Sequence, residues 1–163
     1  MRNLAIIIAA TLSVTLPQAS EAQDLDRAES AYNNGDYKTA LRELRLLSEQ
    51  GLAEAQWGLG HLYENGQGVP QDYAEAVRWY RLAAEQGDAS AQYNLGVLYH
   101  IGQGVPQNLQ LAYMWFSLAA AQEFEQAATN RDEAASNMNR EQIARAQQLS
   151  SECFARNYQG CAQ

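Results

Sequence analysis

From Ala53 onward the apolar residues fall on helical spacing. Ala55, Leu59, Leu62 and Tyr63 recur three and four residues apart, which predicts a helix over about 53–64. Gly66 and Gly68 then supply turn backbone, and Pro70 disfavours helical geometry at the residue before it. Val69 is apolar inside this loop and is expected between helices. Asp72 is placed to cap a second helix, carried on Ala76, Trp79, Tyr80 and Ala83 to about Gln86. Gly87 suits the left-handed position beyond its end. Gly60 and Ala83 are small, so the two helices can approach closely.

The same pattern returns 36 residues later. Residues 53–88 and 89–124 are identical at 19 of 36 positions. The block Gly66 to Gln71 recurs as Gly102 to Gln107, and Trp79 recurs as Trp115. The offset also reaches backwards, pairing Asp36-Tyr37 with Asp72-Tyr73 and Glu49-Gln50-Gly51 with Glu85-Gln86-Gly87. One such pair of helices cannot bury its apolar faces alone, so the units must stack. The expected fold class is all-α, a solenoid of helix-turn-helix repeats.

Both ends depart from the repeat. Residues 23–52 read as a shortened N-terminal unit with Asn33-Asn34-Gly35 as its turn. Residues 125–163 read as C-terminal capping helices. Helical pattern continues over 125–138, but Arg131 and Asp132 stand where the Leu-Gly pair stood, and Glu123 stands where Gly87 did. Asn139 and Gln142 form a capping arrangement for a helix over about 140–153. Before the first unit, Leu4 to Leu16 carries no charge, follows Arg2, and is broken by Pro17 with small residues after it. This layout predicts a signal peptide over 1–22, cut after Ala22 or Ala19, and hence an exported, periplasmic protein with no membrane span after cleavage.

Composition narrows the partner class. The chain has 163 residues and a formal net charge of −8, which disfavours nucleic acid and anionic lipid. Removal of residues 1–22 leaves that charge unchanged, because Arg2 and Glu21 leave together. Cys153 and Cys161 are the only cysteines. In an oxidising compartment they are expected to form one disulfide, with a redox pair as the alternative. No metal site is expected from them. The glycine block lacks the Lys and Ser/Thr of a phosphate-binding loop, and no nucleophile elbow occurs, so no catalytic residue and no cofactor is expected.

The motifs Ala-x-Ala-Gln-x-x-Leu-Gly-x-x-Tyr, Gly-x-Gly-Val-Pro and Ala-x-x-Trp-x-x-x-Ala-Ala stand twice, over 53–86 and 89–122. Here the chain resembles the Sel1-like repeat family, relatives of tetratricopeptide repeats. The resemblance implies a right-handed α-solenoid and a non-catalytic protein-interaction role for an unknown envelope protein or peptide. It also implies that a Cys153–Cys161 bond pins residues 157–161 back onto the last helix. Some disulfide-rich Sel1-like proteins are linked to penicillin binding and β-lactam hydrolysis, so a cell-wall hydrolase is the alternative.

By similarity to tetratricopeptide repeats, the first helix of each unit lines a concave groove. The groove positions are Glu54, Trp57, His61, Glu64 and Asn65 in one unit. In the next they are Ser90, Tyr93, Val97, His100 and Ile101. Helical spacing places Trp57, His61 and Glu64 on one stripe, offset from the Leu59–Tyr63 core stripe. Trp57 and Tyr93 either anchor a ligand or pack on the neighbouring repeat. Glu54 and Glu64 favour a basic or polar peptide. His61 and His100 lie 39 residues apart and so occupy non-equivalent places.

Overall fold

The computed structural model describes residues 19–161. The segment read as a signal, 1–22, lies largely outside the described residues, and its apolar run, Leu4 to Leu16, wholly so. Among the described residues there are eight helices and no strand: α1 (Ala19–Asn33), α2 (Tyr37–Glu49), α3 (Ala53–Asn65), α4 (Tyr73–Ala84), α5 (Ala89–Ile101), α6 (Leu109–Ala120), α7 (Glu125–Ser136) and α8 (Arg140–Ala155). Each helix packs on its successor from α1 to α7, whereas α8 returns to pack on α6. The chain is therefore a stack of helical hairpins.

Local chemistry sets the helix ends. Asp72 accepts bonds from the Ala74 and Glu75 amides, and Asn108 does the same for Gln110 and Leu111, satisfying N–H groups that a first turn leaves unpaired. Asn139 and Gln142 close the capping box expected from sequence. At Gly68 and Gly104 the backbone has φ of +74° and +71°, and a Cβ would stand 2.7 and 2.3 Å from the carbonyl oxygens of Tyr37 and Tyr73. Glycine is needed there for both reasons, because each loop lies against the start of the second helix of the preceding hairpin.

Within a hairpin, the close approach is made at Gly60 and Gly96. An added Cβ would lie 2.7 Å from the rings of Tyr80 and Phe116 respectively. Between hairpins, the recurrent glutamines form a seam. Gln56 donates to the Ser48 carbonyl at 3.3 Å and accepts from Gln86 at 2.7 Å. Gln92 repeats this with the Ala84 carbonyl at 3.2 Å and Gln122 at 2.9 Å. Both glutamines are buried, and these bonds offset the cost of removing their amides from water. Arg45 donates to the Tyr63 hydroxyl and Arg81 to that of Tyr99, again one period apart.

The core forms two clusters along the stack, with half-buried Tyr63 packed against both. Its N-terminal part gathers Ala28, Leu44, Leu47, Leu59, Leu62 and Trp79. Its larger part includes Tyr80, Leu95, Leu98, Trp115, Phe116 and the two cysteines. Each of the leucines and Phe116 contributes about 1.5–3 kcal/mol by leaving water. Val69 of the first loop is half-buried, and Val105 of the second packs against the larger cluster.

Cys153 and Cys161 are bonded, and both are buried. The tail does more than return to α8. Gln159 donates to the Glu85 carbonyl at 2.6 Å, and the Tyr158 ring lies against Gly87. The closing segment thus spans from α8 to the end of α4. The turn after α6 carries Glu123 at φ +64°, where the preceding repeat has Gly87 at φ +92°.

Candidate functional site

A cleft of about 350 Å³ opens between α1 and α3, with α2 behind it. Three expected groove residues, Glu54, Trp57 and His61, lie together on the α3 side. They follow one another at spacings of three and four residues along the helix, so they share one face. The α1 side is supplied by Leu25, Glu29 and Tyr32, which sequence reasoning did not single out. The back wall is Ala28, Leu44 and Gly58. His61 is the hub of an aromatic cluster. Its ring centroid lies 5.8 Å from those of Tyr32 and Trp57, and its Nδ1 is 3.4 Å from the Tyr32 hydroxyl. Glu29 and Glu54 are exposed on the rim.

The cleft exists because Leu44 and Gly58 are smaller than their counterparts in the later repeats. Leu44, Tyr80 and Phe116 are equivalent at the 36-residue period, as are Gly58, Asn94 and Asn130. In the second gap, Asn94 and the Tyr80 hydroxyl bond at 3.2 Å and both engage Glu64. In the third, Phe116 packs near Tyr93, whose hydroxyl accepts from Asn130 at 3.1 Å. In the first gap, Leu44 and Gly58 leave that space open. The signal was present in the repeat alignment, at positions outside the groove set.

The remaining groove positions are distributed differently. Glu64 accepts from Tyr80 at 2.5 Å and from Asn94 at 3.3 Å, so its carboxylate ties α3 to α4 and α5. Burial and that carboxylate push the Tyr80 phenol well above its ordinary range, which keeps it a donor. Tyr93 stacks on Phe124 at 4.7 Å, packing on the next hairpin. Asn65 is exposed and donates to the His61 carbonyl at 2.9 Å. Ser90 and Val97 are half-buried, and Val97 rests on the core. His100 lies 6.4 Å from Phe116, with its Nδ1 enclosed and unbonded. Ile101 is half exposed. Glu54, Trp57 and His61 therefore line one cleft, while the α5 positions spread along the next turn of the stack.

Among the described residues, no three His, Cys, Asp or Glu side chains are grouped to hold a metal ion. No helix among them is long and apolar enough to cross a membrane.

The Sel1 repeat family model matches residues 53–88 and 89–129. A Sel1 repeat protein from Oxalobacter formigenes is 37% identical, over 69% of this chain and 88% of its own, with a TM-score of 0.62. A protective antigen present in uropathogenic Escherichia coli strains, displaying an SLR fold, is 26% identical with a TM-score of 0.81. That match covers 88% of this chain but only 32% of the antigen. No curated protein matches the chain. Proteins built of these repeats generally mediate protein–protein interaction and are typically non-catalytic scaffolds. With its doubled motif, its stacked hairpins and these relatives, the chain belongs to the Sel1 repeat family.

Proposed function

We propose that this protein is a non-catalytic interaction module of the bacterial periplasm that holds a segment of an envelope protein against its concave face. The observation that carries this reading is the α1–α3 cleft. It places Trp57, a residue type enriched at binding hot spots, beside His61 and two rim carboxylates. At the opposite end of the stack from this cleft, α8 packs on α6 and the tail reaches the Glu85 carbonyl. A buried disulfide supports export, since such bonds persist in oxidising compartments. Ser90, Val97, His100 and Ile101 would extend the contact along α5, with Tyr93 packed on the next hairpin behind them.

Photo-crosslinking in living cells tests the reading. A photoreactive residue at Glu54 or Ile101 is expected to trap a discrete envelope partner. The same residue at Leu46, on the α2 surface and 52% exposed, is expected to trap none. Equal trapping from all three positions would overturn the groove assignment. Cell fractionation checks location separately, and recovery in the cytoplasm with both thiols free would overturn export.

A further inference from the structure

We propose that the α1–α3 cleft is a receptor for one arginine side chain, presented by an extended protein segment. The inference rests on the groove reading and names the chemistry that the groove selects. Four features of the cleft converge on this ligand. Its back wall of Ala28, Leu44 and Gly58, with Leu25 beside it, is apolar and fits the aliphatic stem of a long side chain. Its flanks carry the aromatic rings of Tyr32 and Trp57 with His61 between them, and a guanidinium stacks on aromatic rings. Its rim carries Glu29 and Glu54, one on each helix, and neither takes part in an ion pair among the described residues. The two carboxylates accept from a planar fork of N–H donors in a way that an ammonium cannot match.

The fourth feature is size. About 350 Å³ lies at the small end of ligand pockets, enough for one or two side chains. The equivalent gaps of the later hairpins are closed by Tyr80 with Asn94 and by Phe116 with Asn130. The chain therefore fills this space with its own side chains twice and leaves it open once. The open copy is the one flanked by unpaired carboxylates. The nearby arginines do not occupy it: Arg27 is paired with Asp24 and Glu43, and Arg42 with Glu43.

The test uses the full mature chain and three capped pentapeptides, Ala-Leu-X-Leu-Ala, where X is arginine, lysine or citrulline. Citrulline keeps the shape and removes the charge. Amide-resolved NMR titration reads both affinity and place, and the Gly58 and His61 signals are expected to move. Arginine is expected to bind about tenfold more tightly than citrulline, and lysine to fall between them. Glu29→Gln with Glu54→Gln, two exposed changes that leave packing alone, is expected to weaken the arginine peptide by about the same factor. Leu44→Tyr with Gly58→Asn, which copies the filled gap, is expected to abolish binding, provided that circular dichroism shows the helices intact. If that variant unfolds, the glutamine pair decides.

Equal binding of arginine and citrulline, tighter binding of lysine, or no binding at millimolar peptide would overturn the proposal. So would a glutamine pair that binds like the wild type. If peptide selectivity fails but Glu54 and Ile101 still crosslink a partner in cells, the groove reading stands and the arginine assignment falls. If arginine selectivity holds but no partner crosslinks, the reverse follows.

Discussion

Gly60→Ala is the sharpest single perturbation of the stack. The added Cβ would stand 2.7 Å from Cδ1 and Cε1 of Tyr80 and 3.2 Å from its Cγ. Carbon atoms prefer about 3.5–4.0 Å, so the ring must retreat by nearly 1 Å. Tyr80 is fully buried, and its hydroxyl is held on Glu64 at 2.5 Å, so the ring has no free direction in which to move. Overpacking of this kind costs about 1–3 kcal/mol. Replacing a helical glycine with alanine returns up to about 1 kcal/mol. The net expectation is a loss of about 1–2 kcal/mol, read from urea unfolding followed by far-ultraviolet circular dichroism. Gly58→Ala is the matched comparison, two residues away on the same helix with the same propensity gain. Its Cβ meets only the Leu44 methyl ends at 3.2 Å, and these border the open cleft. It should lose less than Gly60→Ala. A Gly60→Ala protein as stable as the wild type, or as stable as Gly58→Ala, would refute the claim that glycine sets the α3–α4 distance.

Three further outcomes follow from other parts of the chain. Glu123→Gly relieves a left-handed backbone at φ +64° and should raise stability by about 1 kcal/mol in the same assay. Removing the disulfide by Cys153→Ser with Cys161→Ser should cost about 2–3 kcal/mol on chain-entropy grounds, and reductant should then have no further effect on the variant. Burial holds the Asp88 carboxyl above its usual 3.8, against two backbone bonds that lower it. The folded state thus binds this proton more tightly than the unfolded chain, so the Asp88 contribution weakens as pH rises from the unfolded value through the raised folded one. Asp88→Asn keeps the cap on α5, so its stability relative to wild type should improve as pH rises from below the carboxyl's usual 3.8.

Much of the repeat body was readable because its signals are local. The helix at 53–64 emerges as Ala53–Asn65, and the capping box at Asn139 and Gln142 closes as its spacing implies. Helical period, caps and turn glycines all act within a few residues, so they can be read along the chain. The candidate site was only partly readable. Glu54, Trp57 and His61 meet as their spacing on one helix demands, but Leu25, Glu29 and Tyr32 come from a unit whose turn is shorter and whose register differs. Glu64 and Tyr93 show the limit of stripe reasoning. Both sit at groove positions, yet the former bonds to Tyr80 and Asn94 and the latter stacks on Phe124.

By itself, the sequence determined that the repeat body is helical, that its hairpins recur every 36 residues, and that Ala55, Leu59, Leu62, Ala76, Trp79, Tyr80 and Ala83 are buried in them. Each of these depends on spacing within one unit or identity between two. Only the tertiary structure decided which gaps between helices are filled. It did so by the sizes of Leu44 and Gly58 against Tyr80, Asn94, Phe116 and Asn130, which come from different helices and act as a summed volume. It also decided where the tail ends, carrying Tyr158 and Gln159 to Gly87 and Glu85, more than 70 residues back along the chain. Such contacts are chosen by shape and by unmet backbone bonds after the stack has formed, and nothing in the local pattern specifies them.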